Sequence, residues 1–447
     1  MSEQAAGGPP SAGAPRVPLS IIAREWGRIG CLGFGGPPAH IALLRKLCVE
    51  DRHWLPAGDF EDGLAACNLL PGPASTQLAI FCAWRLRGPA GAVLGGICFI
   101  VPGLVIILGL AALFLAPRPP GWIAGVAAGA GAAVPAVAVA AAAGLIPASW
   151  RRSGESRSRE SQSGGSGAGA SGAGESRSRE SRAGGSGAGA SGAEESAPGT
   201  RAAHGRWAGY LVAGGLAAAT VGPWLVLVLA ACGLTEVAAR SQRSRQRRDP
   251  GHRGLPSVML PLTAAVPAAA GLLAVAWEGF KVGALSYGGG FVIIPLMQHD
   301  AVHTYHWMTA GQFLSAVALG QVTPGPVVQT VAVVGYAAAG LGGGLLAALV
   351  AFAPSFVFVL AGGRYFDRLR ASAAVQAFLT GAAPAAIGAI AGAAIPLALA
   401  LAHLWQLGVL ALAAAWLLGL RRGVVSAIAG AAGLGMLAFA AGAPLGG

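Results

Sequence analysis

Residues 34–37 of this chain read Phe-Gly-Gly-Pro and residues 71–73 read Pro-Gly-Pro; the second half repeats the pattern as Tyr287-Gly288-Gly289-Gly290 and Pro324-Gly325-Pro326. The offset is constant and needs no gap (287 − 34 = 253; 324 − 71 = 253). Several Gly, Trp, His and Glu positions coincide at the same offset, among them Glu25 with Glu278, Gly30 with Gly283, and His53-Trp54 with His306-Trp307. At an offset of 252, Gln77 coincides with Gln329, Gly88 with Gly340, and Pro102 with Pro354. The sequence therefore predicts two copies of one module.

Composition indicates an integral membrane protein. Of the 447 residues, 54% are apolar and 11% are charged, against about 25% charged in ordinary globular proteins. Several stretches of about 20 residues carry few or no charges, which is the length at which a helix crosses hydrocarbon. The 71 glycines suit close helix–helix contact in a bilayer.

The basic residues and the cysteines argue against other classes of protein. The net charge of +12 comes almost wholly from arginines at segment ends and in linkers, which favours topology signals over a nucleic-acid-binding face. The six cysteines show no paired spacing, so we expect neither a disulfide framework nor a zinc site. Without a nucleotide-binding motif or a nucleophile–base pair, the sequence predicts no enzyme, no cofactor and no nucleic-acid partner.

The predicted domains follow from the apolar segments. We expect a disordered tail over 1–18, a first module over 19–240, a basic linker over 241–262 and a second module over 263–441. A Ser/Gly/Arg-rich insert, 151–204, cannot build a core and is predicted to be disordered. Each module contains six apolar elements, at about 19–44, 58–87, 89–116, 121–149, 207–221 and 223–240, and at about 268–297, 310–338, 340–363, 373–401, 403–420 and 423–441.

Loop charges predict that the two modules are inverted. Basic residues follow the first and second elements only in the first module, as Arg45, Lys46, Arg52, Arg85 and Arg87; after the third element they are concentrated in the second, as Arg364, Arg368 and Arg370. By the positive-inside rule, matching loops then lie on opposite sides of the membrane. The second element enters and leaves by one face, because Pro-Gly-Pro breaks its helix. The predicted fold is an all-α integral membrane protein with two inverted repeats. Each has about five transmembrane helices plus a re-entrant helical hairpin, and the N-terminus is expected outside.

Two broken half-helices that face each other form a candidate anion site. Their first amides have no partner within the helix, and the helix dipole is positive there. Transporters with inverted repeats bind substrate where such breaks meet. The candidate ligands in the first module are Gly35, Gly36, Asn68, Pro71, Gly72, Pro73, Ser75, Thr76 and Gln77; those in the second are Gly288, Gly289, Gly290, Gln321, Thr323, Pro324, Gly325, Pro326, Gln329 and Thr330. The alternative is that the Pro-Gly-Pro and glycine runs only kink packed helices.

Charged pairs inside apolar segments are candidates for coupling. Glu25 and Arg28 lie three residues apart on one helix face, and Glu278 and Lys281 repeat the pair. Charges at membrane depth are costly and line substrate or proton paths; an interfacial salt bridge is the alternative, above all for Glu25. His299, Asp300, His303 and His306 have metal-like spacing but sit in a predicted loop, so we predict no metal site.

With these motifs in view, the chain resembles the two-domain form of the chromate ion transporter family. The first copy matches in Phe34-Gly35-Gly36-Pro37, His53-Trp54-Leu55 and Leu69-Leu70-Pro71-Gly72-Pro73; the second matches in Tyr287-Gly288-Gly289-Gly290, Val292-Ile293-Ile294-Pro295 and Thr323-Pro324-Gly325-Pro326. The resemblance implies a multi-pass protein of the plasma membrane that exports chromate. It also implies a proton-motive driving force and resistance of the cell to chromate.

The expected partners are chromate, protons and the lipid bilayer, with sulfate as a competitor of similar shape and charge. Three alternatives stay open: a carrier for sulfate or another inorganic anion, an anion channel, and a membrane subunit that works only with a partner. A homodimer is among the oligomeric states that the sequence leaves open.

Overall fold

A computed structural model describes residues 17–68, 70, 72–116, 118–163, 198–220, 225–246, 271–286, 290–362 and 372–444. The first half contains α1 (Leu19–Leu32), α2 (Pro37–Arg45), α3 (Ala57–Cys67), α4 (Ala74–Phe114), α5 (Gly121–Ala132), α6 (Val134–Ser163), α7 (Pro198–Thr220) and α8 (Leu225–Gln246). The second contains α9 (Leu272–Leu285), α10 (Ile294–Gln298), α11 (Ala310–Val322), α12 (Thr330–Gly362), α13 (Ala373–Leu399), α14 (Leu404–Ala414) and α15 (Val424–Ala440). The described part of the chain contains no strand, so the fold is all-α.

Five segments are long and apolar enough to cross a membrane: Ala74–Phe114, Gly121–Arg151, Leu225–Gln242, Val327–Gly362 and Ala373–Leu399. Shorter apolar helices are Ala310–Val322, Leu404–Gly419 and Val424–Ala440. Large apolar side chains such as Val105, Leu349 and Leu399 are exposed on these helices. In water such a surface would be unfavourable, whereas in a bilayer it faces lipid, so the chain is a multi-pass membrane protein.

Both long helices after the Pro-Gly-Pro breaks bend at matching positions. α4 has 41 residues, which would extend about 60 Å if straight, twice the thickness of the hydrocarbon core. Its helical geometry is interrupted at Arg87 and Gly88 (φ 66°, ψ −154°), and α12 is interrupted in the same way at Ala339 and Gly340 (φ 61°, ψ −154°). The positive φ favours glycine at both bends. Each bend separates a short half-helix from a long apolar segment.

The local structure of the first half recurs in the second at the offset found in the sequence. α1 and α9 have equivalent bounds, and π-helical turns occupy Lys46–Asp51 and His299–Thr304. After each turn a histidine adopts positive φ (His53 49°, His306 52°), and its Nδ1 lies 2.8–2.9 Å from the carbonyl oxygen four residues earlier. The six residues of each π turn are helical where the sequence predicted loops, because each turn extends the short helix before it.

Helices of the second half pack directly against helices of the first half. α13 of the second half packs against α7 and α8 of the first, and α15 packs against α5. Small residues allow this approach: a Cβ at Gly388 would collide with the backbone of Leu211, and a Cβ at Gly125 would lie 2.8 Å from the carbonyl oxygen of Gly435. Backbone-to-backbone packing of this kind is how membrane helices associate without a hydrophobic driving force between them.

Several predicted boundaries are wrong. The first element, predicted as 19–44, is two helices separated at residues 33–36. Residues 151–163 and 198–204, predicted to be disordered, belong to α6 and α7, and α8 extends to Gln246 in the predicted linker. Extending an existing helix costs far less than starting one, so polar residues joined to an apolar helix can remain helical. Residues 1–16, 164–197 and 247–270, which include most of the predicted tail, insert and linker, lie outside the described residues.

Candidate functional site: the two Pro-Gly-Pro breaks

The two Pro-Gly-Pro breaks meet the opposite halves of the chain through a reciprocal pair of backbone hydrogen bonds. The Gly72 amide donates to the Ser286 carbonyl at 2.9 Å, and the Gly325 amide donates to the Gly33 carbonyl at 3.1 Å. Gly72 and Gly325 are equivalent at the 253-residue offset, and so are Gly33 and Ser286. Each break therefore places its central glycine against the end of the first helix of the other half. We call these two bonds the cross-half latch.

Glycine is required at both latch positions. Gly72 has a φ of 117° and Gly325 a φ of 105°, in the region that favours glycine. A Cβ at Gly72 would also lie 2.6 Å from Gln77 Nε2 and 3.3 Å from Ser355 Oγ. The prolines on either side have no amide to donate. The glycine amide is thus the donor that each break offers, and the opposite half accepts it.

The start of α4 is deeply buried and polar. Ser75, Thr76 and Gln77 are at most 1% exposed. The first bonds that close the turn run from the Thr76 and Gln77 amides to the Pro73 carbonyl. The Ala74 and Ser75 amides therefore precede the first intrahelical bond, where a helix is electropositive.

At the second break the corresponding polar groups are bonded within the protein. Thr323 Oγ1 donates to the Leu319 carbonyl at 2.7 Å, and Thr330 Oγ1 donates to the Val327 carbonyl at 2.8 Å. Gln329 Nε2 donates to the Ile100 carbonyl of α4 at 2.8 Å. Gln321 Nε2 is the exception, being buried without an acceptor among the described residues. Pro324 and Pro326 are buried beside these groups.

The remaining predicted site residues divide into two groups. Gly36 and Gly290 both lie near the start of the second half-helix: Cβ atoms added to them would be 3.6 Å from Val327 Cγ2 and 3.1 Å from Val328 Cγ2. Gly35 is exposed, and Asn68 is exposed at the end of α3, so the structure does not place these two against the break. Pro71, Gly288 and Gly289 lie outside the described residues.

The two predicted charge pairs exist but differ in setting. Glu25 accepts ion pairs from Arg28 at 3.6 Å and Arg52 at 3.5 Å, whose side chains are 64% and 53% exposed. Glu278 Oε2 lies 2.6 Å from Lys281 Nζ, and the Glu278 and Lys281 side chains are only 1% and 15% exposed. Neither Glu278 oxygen receives a well-formed hydrogen bond from the described residues. The first pair joins a buried glutamate to exposed arginines, whereas both side chains of the second pair are largely buried.

Asp300 completes the second cluster and was missed as a coupling residue. Its Oδ2 is ion-paired with Lys281, and Thr304 Oγ1 donates to its Oδ1 at 3.4 Å. The sequence assigned Asp300 to a loop, whereas the π turn brings it against α9. Asp300 is therefore a partner of Lys281, and no group of three metal-ligating side chains occurs in the described ranges. The His299 and His303 rings lie 5.8 Å apart.

His40, Ser286 and Ser355 were also missed. His40 Nε2 is 2.8 Å from the Gly33 carbonyl oxygen, the acceptor that Gly325 uses in the latch. Ser286 Oγ and Ser355 Oγ are fully buried and lack partners among the described residues; Ser355 Oγ lies beside Gly72, and Ser286 Oγ lies beside Gly290. The available signal was weak: Ser355 is a polar residue in an apolar run, and Ser286 precedes the Tyr287-Gly288-Gly289-Gly290 motif.

Helices of both halves pack around two broken half-helices. This arrangement is typical of multi-pass membrane transport proteins. A family model described as chromate transporter matches residues 21–235 and 273–436. The chain belongs to this chromate transporter family. Members of this family are transporters, and no catalytic chemistry is assigned to the site.

Three relatives cover most of the chain. The chromate transport protein of Cupriavidus metallidurans is 30% identical over 395 residues, which is 86% of this chain and 84% of the relative. That of Pseudomonas aeruginosa is 30% identical over 382 residues, covering 83% of this chain and 79% of the relative. A probable chromate transport protein of Synechococcus elongatus is 27% identical over 391 residues, covering 86% of this chain and 85% of the relative. No solved structure matches the chain.

The latch predicts that neither central glycine tolerates a side chain. Gly72→Ala and Gly325→Ala should each lower the free energy of unfolding by about 1–2 kcal/mol, because a Cβ is strained at positive φ. The melting temperature of the purified protein measures the effect. Gly311→Ala is the control, since Gly311 lies in α11 with no heavy atom closer to an added Cβ than Thr309 Oγ1 at 4.0 Å. Equal melting temperatures for all three variants would contradict the latch.

Proposed function

We propose that this protein is a secondary active transporter that exports chromate across the cytoplasmic membrane, driven by the proton-motive force, and so protects the cell. The observation that carries the proposal is the cross-half latch, which bonds each Pro-Gly-Pro break, just before an electropositive helix start, to the opposite half of the chain. Relatives named chromate transport proteins, similar over most of the chain, support chromate as the substrate.

The architecture that we propose is a pair of inverted repeats, each with a re-entrant hairpin at its Pro-Gly-Pro break. The reciprocal latch supports a two-fold relation, because a two-fold axis generates equivalent bonds in both directions. The short helices support re-entry: α3 has 11 residues and α11 has 13, about 17 and 20 Å, well below the thickness of the hydrocarbon core. The distribution of Arg and Lys among the loops indicates which loops of each repeat lie on the cytoplasmic side.

An anion suits the breaks better than a cation does. Helix starts offer N–H donors and positive dipole ends, and both favour an acceptor-only ligand. A tetrahedral oxyanion accepts hydrogen bonds in several directions, so donors from both halves can bind it together. Sulfate shares this shape and charge, and transport of sulfate or another inorganic anion is the second candidate function.

For proton coupling we propose the buried cluster of Glu278, Lys281 and Asp300. Two carboxylates surround one ammonium, so the fully ionised cluster carries a net charge of −1. A net charge at this depth is costly, and binding one proton removes it. The cluster around Glu25 has the opposite balance, with two partly exposed arginines for one carboxylate. Only the second cluster therefore gains from taking up a proton.

Flux into proteoliposomes tests the function. Vesicles containing the purified protein, with an acidic interior and the membrane potential clamped at zero, should accumulate labelled chromate by exchange for protons. We expect uptake to saturate, to be inhibited by sulfate, and to collapse with a protonophore. Empty vesicles at the same pH values control for protonation of chromate itself. Uptake that follows voltage without accumulation would identify a channel, and preferential sulfate uptake would identify a sulfate carrier. Uptake equal to that of empty vesicles would contradict chromate transport.

The coupling role predicts a selective defect in Glu278→Gln. This variant should lose accumulation driven by the pH gradient, because the neutral amide cannot take up the proton. It should retain exchange of chromate for chromate, which moves no net proton. Glu61→Gln is the matched control, since Glu61 is 48% exposed and ion-paired with Arg45 at the surface. Gradient-driven accumulation at the wild-type level in Glu278→Gln would exclude Glu278 as the proton site.

A further inference from the structure

Three hydroxyl groups on residues near the first Pro-Gly-Pro break have no hydrogen-bond partner in the part of the chain that the structure describes. Thr76 Oγ1, Ser286 Oγ and Ser355 Oγ are buried in residues that are 0% exposed, and none has a partner among the described residues. Buried hydroxyls are normally bonded, since a missing partner costs stability. Three in one region therefore need a physical explanation.

The three hydroxyls belong to residues on separate segments around Gly72. Thr76 lies in the first turn of α4. Ser286 follows α9; its carbonyl accepts the Gly72 amide at 2.9 Å, and its Oγ would be 3.6 Å from a Cβ at Gly290. Ser355 lies in α12, and its Oγ would be 3.3 Å from a Cβ at Gly72, beside Gln77 Nε2. Thus residues of both halves carry hydroxyls near the first break, and the hydroxyl of Ser286 also lies near Gly290, on the side of the second half-helix.

The second break lacks this set. At the repeat offsets, the positions of Ser286, Ser355 and Thr76 correspond to Gly33, Gly103 and Val328. The missing side chain of Gly103 lets the Pro324 carbonyl pack against α4, since a Cβ there would collide with that oxygen. The hydroxyls of Thr323 and Thr330 are bonded to their own backbone. Hence the two breaks are similar in backbone and different in polar chemistry.

We propose that Ser286 and Ser355, with Thr76 and the amides of Ala74 and Ser75, form a single oxyanion-binding site at the first break. This site rests on the proposed function. It limits the candidate ligands, which the sequence predicted at both breaks, to those around the first break. Each hydroxyl supplies one donor, and a tetrahedral dianion such as chromate or sulfate accepts several. A cation is disfavoured, because the helix start is positive. The site predicts one bound oxyanion per chain.

Equilibrium binding to the purified full-length protein tests the site, with labelled chromate as the probe and sulfate as a second, non-oxidising probe. Ser286→Ala and Ser355→Ala should each weaken binding of both probes about tenfold or more, the effect of losing a hydrogen bond to a charged group. The wild-type protein should bind one chromate per chain. Ser315→Ala is the matched control and should bind like the wild type, because its hydroxyl donates to the Gly311 carbonyl at 3.0 Å, within its own helix.

Melting temperature without ligand separates binding from folding. A hydroxyl without a partner loses no hydrogen bond on truncation, so both alanine variants should melt at or above the wild-type temperature. Weaker binding together with a lower melting temperature would indicate a structural role and overturn the proposal. Wild-type affinity in both variants would also overturn it, and would leave the chromate carrier itself standing. If the wild-type protein bound neither probe, the proposed function would fail first.

Discussion

A broken helix inside a bilayer must find partners for its free backbone groups, and the rest of this structure depends on how that requirement is met. Hydrocarbon supplies no hydrogen bonds, so an unpaired amide there costs several kcal/mol. The chain solves the problem by exchange: the amide at the centre of each break binds the carbonyl at the end of the opposite first helix. Each break thus takes its acceptor from the other half, and these bonds join the two halves at the place where substrate is proposed to bind.

Duplication gives the two breaks one backbone geometry, and later divergence gives them different chemistry. One break keeps its polar side chains bonded internally except for Gln321, as in the contact from Gln329 to Ile100. The other has buried hydroxyls for which the described part of the chain offers no partner. The charge clusters also differ, since one pairs a buried glutamate with two exposed arginines and the other is buried with an excess of carboxylate. The proposed binding site at the first break and the proposed proton site in the second half can therefore differ in chemistry while both breaks keep the same backbone geometry.

Apolar periodicity and the internal repeat predicted much of this fold. Both can be found within the sequence, the first from local spacing and the second by comparing one half with the other. The apolar segments, both breaks and the buried Glu278–Lys281 pair were all found from spacing. What escaped was set by long-range packing. Asp300 reaches Lys281 only because a π turn replaces the expected loop. Ser286 and Ser355 become site candidates only when α9 and α12 are packed against a break from the other half, and no pattern within the chain encodes that contact.

The inverted arrangement of the two halves is the central claim, and labelling of single cysteines measures it directly. In a protein freed of its six native cysteines, His53→Cys and His306→Cys would each be exposed to a membrane-impermeant maleimide, first in intact cells and then in inside-out vesicles. Both histidines are exposed at equivalent π turns. The account predicts opposite results: Cys at 306 is labelled from outside, and Cys at 53 only from the cytoplasmic side. Labelling of both from one side would contradict the inverted repeat and the shared site derived from it.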